Sequence, residues 1–286
     1  MKNKMKIYLS SLFLIFLIQA IPATAQYYYR DFISRTQAEA EMKNYKEAKV
    51  KNIDVNSYEA DGNPSRGFIC YKKIDKNFTE TEMFTRTNIS GPSQFNAYFD
   101  KEGRLSSTYD SSLISVANTQ YFYDASGKLL KTRSRLTSRD DDFHNEIIQE
   151  HIYVYADSNL PQKLHVVKNG RDTTTILFAT DEVGNMAIEK NTKTGGKYYY
   201  IYNAKNQLTQ IAQETAMRRD PYPNYIFTYN NAGNISQMIT TEEGGRNIDY
   251  TIWRYSYEDG LKTGERLMTR ERKLLGSIEY VYKKGK

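Results

Sequence analysis

A short phrase recurs along the C-terminal two thirds of the chain, and its cleanest copy, Tyr121 to Leu129, reads Tyr-Phe-Tyr-Asp-Ala-Ser-Gly-Lys-Leu. Two aromatic residues flank one variable residue, Asp or Asn follows, and Gly or Asn comes three positions later. Successive copies lie 22 to 32 residues apart, which is enough for two strands and two connections. Because one such unit cannot bury its face without neighbours, the spacing predicts an array of β-hairpin repeats.

The Asp and Gly of the phrase predict the shape of each tight connection. Asp or Asn at the first position of a type I turn accepts hydrogen bonds from the backbone just ahead, and Gly or Asn three residues later tolerates a positive φ. The expected hairpin is therefore a type I turn followed by a G1 bulge. The residues predicted to form these turns are Asp100, Gly103, Asp124, Gly127, Asp181, Gly184, Asn203, Asn206, Asn230, Gly233 and Gly260.

The aromatic residues before each turn share one face of a strand, because side chains alternate with a period of two. They are expected to form ladders across the sheet, so the register explains most of the 25 tyrosines without a ligand. Tyr198, Tyr225 and Trp253, five positions before their turns, are the candidate ligand-facing aromatics. Aromatics outside the register are also free to contact a ligand, and these are Tyr27, Tyr28, Tyr29 and Tyr222.

The first 25 residues have the pattern of a secretory signal peptide. A basic start with three lysines is followed by an apolar run over residues 7–21 and by Ala23-Thr24-Ala25, which predicts cleavage before Gln26. The mature protein is expected to be periplasmic, on the cell surface or secreted. Without those lysines the formal charge falls from +6 to +3, too little to indicate a nucleic-acid partner.

Residues 26–52 form an N-terminal segment in which one helix is predicted over residues 34–50. Ser34 or Thr36 is expected to cap it, and Ala38, Met42 and Tyr45 fall on one stripe. We expect this helix to cover an open edge of the sheet, since exposed edges aggregate. Residues 53–286 then form the repeat domain, with clear repeats over 95–286. The predicted fold is all-β: a curled antiparallel meander, single-layer or partly closed and porin-like in outline, with a capping helix.

The phrase over Tyr121 to Leu129 resembles the YD, or RHS, repeat of bacterial surface and toxin-delivery proteins. In that family the repeats form β-sheet ribbons that coil into a shell around a toxin. This chain contains few copies of the repeat, so a toxin shell is not the expected assembly. It is also similar to short exported repeat proteins of Bacteroidetes-type bacteria, some of which have a porin-like curled sheet. The resemblance implies a fold and an exported location, and it transfers no catalytic residue.

No pattern in the sequence indicates catalysis, a cofactor or a metal. His144, His151 and His165 are the only histidines, and His151 occupies a ladder position five before its turn. Cys70 is the single cysteine and is interpreted as a packed strand residue. The run Asp140 to Asp142 lacks the turn glycine of a calcium loop, so a solvated loop is the preferred interpretation.

The function expected from the sequence is therefore that of a non-enzymatic exported scaffold that binds a protein or a polysaccharide. Two alternatives stay open: an RHS-like component of a toxin-delivery or surface system, and an outer-membrane β-barrel. Stable membrane insertion is not expected, because charged residues such as Arg254, Glu265 and Arg266 occupy both faces of the predicted strands.

Overall fold

A computed structural model of the protein describes residues 26–140, 146–156, 159–216, 218–244 and 247–285. The predicted signal peptide lies outside the described residues, as do Asp141, Asp142 and His144. A π-helical turn (Tyr29–Ile33) leads directly into helix α1 (Ser34–Glu47), and eighteen strands follow within the described ranges. The strands are β1 (Val50–Glu59), β2 (Ile69–Ile74), β3 (Glu80–Thr87), β4 (Gly91–Phe99), β5 (Leu105–Ser111), β6 (Ser115–Tyr123), β7 (Leu129–Ser138), β8 (Glu146–Tyr155), β9 (Pro161–Lys168), β10 (Asp172–Thr180), β11 (Met186–Asn191), β12 (Lys197–Tyr202), β13 (Leu208–Glu214), β14 (Tyr222–Tyr229), β15 (Ile235–Gly244), β16 (Asn247–Glu258), β17 (Leu261–Met268) and β18 (Leu274–Lys284).

The strands form one closed barrel. Each strand pairs antiparallel with the next along the chain, and β18 pairs with β1 in register, with Ser57 opposite Ile278. The all-β, antiparallel prediction is confirmed, but the expectation of a single-layer or partly closed sheet is wrong. Local turn signals specify neighbouring hairpins, whereas closure depends on pairing between strands more than 200 residues apart, which no local pattern encodes.

The tight connections that follow β2, β4 and each further even-numbered strand lie together at one end of the barrel, which we call the turn end. In the β6–β7 connection, Asp124 Oδ1 accepts the N–H groups of Ser126 at 2.8 Å and Lys128 at 2.9 Å. Gly127 has a φ of +88°, and the register shifts by one residue just before the turn. This is the geometry of a type I turn with a bulge. Similar carboxylate or amide contacts occur at Asp100, Asp181, Asn203 and Asn230. Positive φ angles occur at Gly103, Gly184, Asn206, Gly233 and Gly260.

Helix α1 begins differently from the prediction. Its N-cap position is Ile33, which makes no side-chain cap, and the expected capping contacts of Ser34 and Thr36 do not form. Ser34 Oγ instead donates to the carbonyl of Tyr29 at 3.2 Å, and Thr36 Oγ1 to the carbonyls of Phe32 and Ile33. A cap is not needed there, because the preceding π-helical turn already supplies carbonyl partners for the first N–H groups of α1.

The N-terminal segment lies inside the barrel rather than along an edge. The backbone N–H of Tyr27 donates to Glu189 on β11, and the Glu39 carboxylate accepts the N–H of Leu105 on β5. Asn44 donates to the carbonyl of Gly260, between β16 and β17. Because these partners are spread around the whole ring, only a position within the lumen reaches them all. The expectation of an edge-covering helix is therefore wrong: a closed sheet has no edge to cover.

Three hydrophobic clusters fill the inner face, and each contains residues of the N-terminal segment. Met42 and Tyr45 of α1 are 4% and 3% exposed and pack against β1, β2, β4, β5 and β18. Tyr27 and Phe32 belong to the cluster on β7 to β10, whereas Tyr28, Tyr29 and Ile33 join that on β11 to β15. Burying each such side chain contributes on the order of 1.5–3 kcal/mol. The predicted aromatic ladders thus exist as a lining that packs on a central helical segment.

The outer face combines aliphatic side chains with ion pairs. Phe122 and Ile152 are 40% and 37% exposed, and both lie opposite Lys131 in the sheet register. Lys131 Nζ is 3.2 Å from Glu150 Oε1. Further ion pairs on strands join Arg135 to Glu146, Lys197 to Glu214 and Lys283 to Asp54.

Candidate ligand-binding cavity at the turn end

A cavity of about 680 Å³ lies at the turn end, between the N-terminal segment and the connections that follow β6 and β8. Its volume is within the range of small-molecule sites, roughly 300–1,000 Å³. The N-terminal segment contributes Tyr28, Phe32, Ile33, Arg35 and Thr36, the β6–β7 turn contributes Ser126, Gly127, Lys128 and Leu129, and the end of β8 with its connection contributes Tyr155, Asn159 and Leu160.

Aromatic rings form the apolar part of the wall. Tyr28 and Phe32 stack with ring centres 5.2 Å apart, as residues four apart on a helical surface do. Tyr155, the last residue of β8, points inward because it shares the face of Tyr153. Its hydroxyl donates to the Leu129 carbonyl at 2.6 Å, which fixes the ring against the neighbouring turn. Burial raises the pKa of Tyr155, so its hydroxyl stays protonated at neutral pH.

Arg35 is the cation of the helical wall, and its side chain is only 12% exposed. Its Nη1 donates to Glu39 Oε1 at 2.7 Å, and its guanidinium carbon lies 5.5 Å from the centre of the Tyr123 ring. Burial raises the pKa of Tyr123 to about 12, an effect that the nearby Arg35 opposes. Among the described residues, Arg35 Nε is buried without a hydrogen-bond partner.

Lys128 is the cation of the turn wall. It follows Gly127 in the repeat phrase, and its Nζ lies 5.5 Å from the centre of the Tyr155 ring, within the range of a cation–π contact. Among the described residues that line the cavity, none is an Asp or a Glu. The described part of the wall is therefore rich in aromatic faces and hydrogen-bond donors.

A buried polar cluster holds the π-helical turn deeper in the lumen. Asp31 Oδ2 accepts the Tyr153 hydroxyl at 2.6 Å and bonds to Nδ1 of His151, while Asp31 Oδ1 pairs with Arg30 Nε at 3.2 Å. Burial alone raises the pKa of Asp31, but His151, Arg30 and the Tyr153 hydroxyl outweigh it and keep that pKa below its usual value. Gln149 Nε2 lies 2.6 Å from His151 Nε2. Both ring nitrogens of His151 thus contact protein groups.

Glu189 is a second buried carboxylate, and its side chain is fully enclosed. Oε1 accepts the N–H of Tyr27 at 3.1 Å, and Oε2 accepts the N–H of Tyr28 and the hydroxyl of Tyr200, each at 3.0 Å. Burial raises the pKa of Glu189 to about 7, although these donors and the nearby Arg30 oppose the effect. The carboxyl group therefore fixes the start of the N-terminal segment beside the cavity.

The candidate aromatics identified from the sequence lie elsewhere on the inner face. Tyr198 and Trp253 are 3% and 6% exposed, and Tyr225 stacks on Tyr29 at 5.4 Å. A ligand contact for these three residues stays a prediction. Of the four aromatics outside the register, Tyr28 lines the cavity. The sequence offered no signal for Arg35 or Asp31, because their roles depend on the helical segment lying within the lumen.

The single cysteine, Cys70, is buried on β2. Burial raises the pKa of its thiol, which disfavours the nucleophilic thiolate. No group of three or more potential metal-ligating side chains occurs in the part of the chain that the structure describes. Likewise, none of the described helices has the length and apolar character needed to cross a bilayer.

Comparison with known proteins gives structural neighbours only. No protein-family model and no curated protein match the sequence. A porin-like protein from Bacteroides uniformis is similar at 8% identity and a TM-score of 0.39, over 82% of this chain and 98% of that chain. A porin-like protein from Bacteroides vulgatus shares 12% identity at a TM-score of 0.28, over 82% and 98% of the two chains.

The chain is also similar to the TcdB2-TccC3-Cdc42 structure, at 9% identity and a TM-score of 0.28, over 79% of this chain and 19% of that chain. All three likenesses have low TM-scores, so the functional argument rests on the residues of this chain. Assignment of the repeats to the YD or RHS type stays a prediction.

Proposed function

We propose that this protein is an exported, non-enzymatic glycan-binding protein that holds its ligand in the turn-end cavity. The observation that carries the proposal is the cavity itself, where Tyr28, Phe32 and Tyr155 present aromatic surface beside Arg35 and Lys128. Aromatic faces that carry nearby polar groups suit sugar rings, which have both apolar C–H surfaces and hydroxyl groups. Export follows from the predicted signal peptide over residues 1–25.

Closure of the barrel favours a glycan over an extended peptide. Many β proteins bind peptides by adding a strand to an exposed sheet edge, where unpaired N–H and C=O groups supply the affinity. Here β1 pairs with both β2 and β18, and β10 pairs with both β9 and β11. A ligand therefore has to use side chains of a cavity, and the turn-end cavity is formed by such side chains.

The chemistry of the His151 cluster supports a non-enzymatic role. A general base must reach a substrate proton, directly or through one water molecule. His151 is 4% exposed and contacts Asp31 through Nδ1 and Gln149 through Nε2, while the Tyr27 ring lies edge-on to it at 5.0 Å. This cluster is suited to anchoring the N-terminal segment, so we expect His151→Ala to change stability rather than to abolish a reaction.

The proposal is tested by screening the purified protein against a glycan array and then titrating the best oligosaccharides in a calorimeter. Thr36→Trp places a bulky ring in the cavity and should weaken binding by at least about tenfold, through lost contacts and steric exclusion. Lys43→Trp is the matched control, because Lys43 is an exposed residue of the same helix outside the lining. Absence of glycan binding by the parent protein, or equal binding by Thr36→Trp, would contradict the proposal.

An outer-membrane barrel is the second candidate, favoured by closure and by outward aliphatic side chains such as Ile152, Val154 and Ile201. A lipid-facing band must be apolar over roughly 25 Å of height. The Lys131–Glu150 pair lies in the same part of the outer face as Phe122 and Ile152, which interrupts such a band. Recovery of the native protein only from the membrane fraction would favour this candidate over the soluble binding protein.

None of the contacts described above favours a role as part of a toxin shell.

A further inference from the structure

We infer that the end of the barrel opposite the turn end docks on a membrane surface that contains anionic lipids. The docking surface consists of Ile89 in the β3–β4 connection and of Leu113 and Ile114 in the β5–β6 connection, and we call it the apolar tip. Connections that follow odd-numbered strands lie at this end, because antiparallel neighbours alternate in direction. The inference goes beyond the proposed function, which concerns a cavity at the other end.

The side chains of the apolar tip are among the most exposed large hydrophobic side chains in the described part of the chain. Ile89 is 69% exposed, Leu113 is 57% exposed and Ile114 is 77% exposed. Leu113 lies between the two loops, since a Cβ added at Gly91 would meet Leu113 Cδ1 at 2.5 Å. The three side chains therefore share one surface. Grouped apolar side chains indicate an interaction site, whereas singly scattered ones do not.

Hydrogen bonds hold the backbone of both loops. Thr87 Oγ1 accepts the N–H of Ile89 at 3.2 Å, and Ser112 Oγ accepts the N–H of Ile114 at 3.4 Å. The carbonyl of Ile114 accepts the N–H of Arg139, just after β7, at 2.9 Å. Because the loops are already ordered, docking through the apolar tip costs little further backbone entropy.

Exposed arginines lie around the apolar tip. Arg86 precedes the β3–β4 connection by one residue on β3. Asn88 Nδ2 donates to the carbonyl of Arg66 at 3.0 Å, which brings the β1–β2 connection beside the tip. On the other side, Arg139 Nη2 donates to Ser111 Oγ at 2.9 Å. All three arginines are exposed, so their guanidinium groups can reach anionic headgroups.

The two loops add no opposing charge. Residues 88–90 and 112–114 contain no Asp or Glu. Asp140 is exposed directly after Arg139, so the other two arginines are the ones whose charges the test removes. A Lys or Arg near an anionic membrane surface contributes roughly fivefold in affinity. The charge of this end therefore complements an anionic surface.

The composition of the apolar tip fits a bilayer better than a folded protein. A stable protein interface buries roughly 800 Å² on each partner, and its core is enriched in aromatic residues. The tip instead consists of three aliphatic side chains on two hairpin loops. Such side chains can enter the boundary between headgroups and acyl chains while the arginines bind the headgroups, which combines the two contributions of interfacial binding.

The test is co-sedimentation of the purified protein with vesicles of phosphatidylcholine, alone or mixed equally with phosphatidylglycerol. We expect binding to the mixed vesicles to be at least about tenfold tighter and to weaken at high salt. Ile89→Ser with Ile114→Ser should weaken it by at least about tenfold, and Arg66→Gln with Arg86→Gln should do the same.

Matched controls come from the turn end. Val183→Ser removes an exposed aliphatic side chain from the β10–β11 connection, and Lys205→Gln removes an exposed charge from the β12–β13 connection. Both controls should bind the mixed vesicles as the parent does. Insertion is measured separately with Ile114→Trp, because Trp253 is the single tryptophan and is buried. The emission of the new indole should shift to the blue on mixed vesicles.

Absence of vesicle binding by the parent, or equal binding by the Ile89→Ser, Ile114→Ser variant, would overturn the inference. Equal binding to both kinds of vesicle would overturn the selection of anionic lipids. A parent dimer that the same double variant abolishes in sedimentation velocity, without vesicle binding, would assign the apolar tip to a second copy of this chain. Every variant should keep the thermal melt and the glycan titration of the parent, so this inference and the proposed function fail independently.

Discussion

The inner and outer faces of the barrel are made by the same strands but are stabilised by different interactions. On β8, Tyr153 is 4% exposed and bonds to Asp31, whereas the adjacent Val154 is 40% exposed on the outer face. The charged side chains of the inner and outer faces also differ in their exposure. On the inside, Asp31 and Glu189 are enclosed and hydrogen-bonded, whereas outer ion pairs such as Arg135 with Glu146 have both side chains about half exposed. Stability and the shape of the cavity therefore depend on how the inner face holds the N-terminal segment.

Asp31 and Glu189, two of the inner carboxylates that hold this segment, differ from each other in pKa. Asp31 contacts Arg30 and His151, and these groups keep its pKa low despite burial. Glu189 accepts mainly from the neutral donors Tyr27, Tyr28 and Tyr200, so burial dominates and raises its pKa to about 7. A neighbouring full charge offsets burial, whereas neutral donors do not offset it completely.

The largest expected effect of a single substitution is at Asp31. Asp31→Ala leaves the buried His151 ring and the Tyr153 hydroxyl without their carboxylate partner, and breaking such a buried pair costs about 3–5 kcal/mol. The free energy of unfolding from urea titration checks this value. A loss below about 1 kcal/mol, comparable to a surface ion pair, would remove the distinction between the two faces.

Glu189 gives a pH dependence whose sign follows from its raised pKa. Between pH 4.5 and 7 the folded protein holds a proton that the unfolded chain has released, so stability falls as pH rises, by about 3 kcal/mol for a pKa moved from 4.5 to about 7. Asp31 has a lowered pKa, so its contribution is lost only as pH falls below 4 and does not affect this window. Unfolding titrations at several pH values should show a flatter profile for Glu189→Gln. An unchanged slope would contradict the assignment.

The turn that forms part of the cavity wall has an intermediate effect. Gly127→Val forces a β-branched residue to a φ of +88°, which costs on the order of 1–3 kcal/mol. An added Cβ would meet only Arg104 Nη1 at 3.5 Å, so the cost arises from the backbone and not from crowding. Thermal melts of this variant, with Asn159→Ala as a second lining variant without a backbone requirement, check the effect. Equal melts for Gly127→Val and the parent would refute the turn assignment.

The smallest expected effect is on the outer face. Arg135→Ala removes a partner of Glu146, but both side chains are about half exposed and the pair is screened by water. We expect a change of about 0–1 kcal/mol in the free energy of unfolding. A larger loss would mean that outer ion pairs contribute to stability as the inner ones do, and a charge-reversed double variant would then separate the pair from its surroundings.

The turns and the faces of the strands could be predicted from the sequence, because they depend on contacts between residues close together in the chain. Asp124 and Gly127 specify a turn through contacts within five residues, and the period-two pattern places Tyr153 and Tyr155 on one face. Closure could not be predicted, because it requires β1 to meet β18 across the whole chain. The site could not be predicted for the same reason: Arg35 and Lys128 line one cavity only because α1 lies inside the barrel. The sequence showed that Tyr28 lies outside the register of the aromatic ladders. It did not show which surface Tyr28 contacts.

The sheet closes around the N-terminal segment only because β1 pairs with β18, and a cross-strand disulfide tests this pairing directly. Asn56 and Glu279 face each other between β1 and β18, and opposite residues in such a pair have Cα atoms roughly 4.5–5.5 Å apart, close enough for a disulfide. In a Cys70→Ser background, Asn56→Cys with Glu279→Cys should form a disulfide under mild oxidation, as read by mass spectrometry. The hairpin pair Gln237→Cys with Arg254→Cys, which even an open meander would bring together, should also form one. Oxidation of the hairpin pair while the β1–β18 pair stays reduced would contradict the closed barrel.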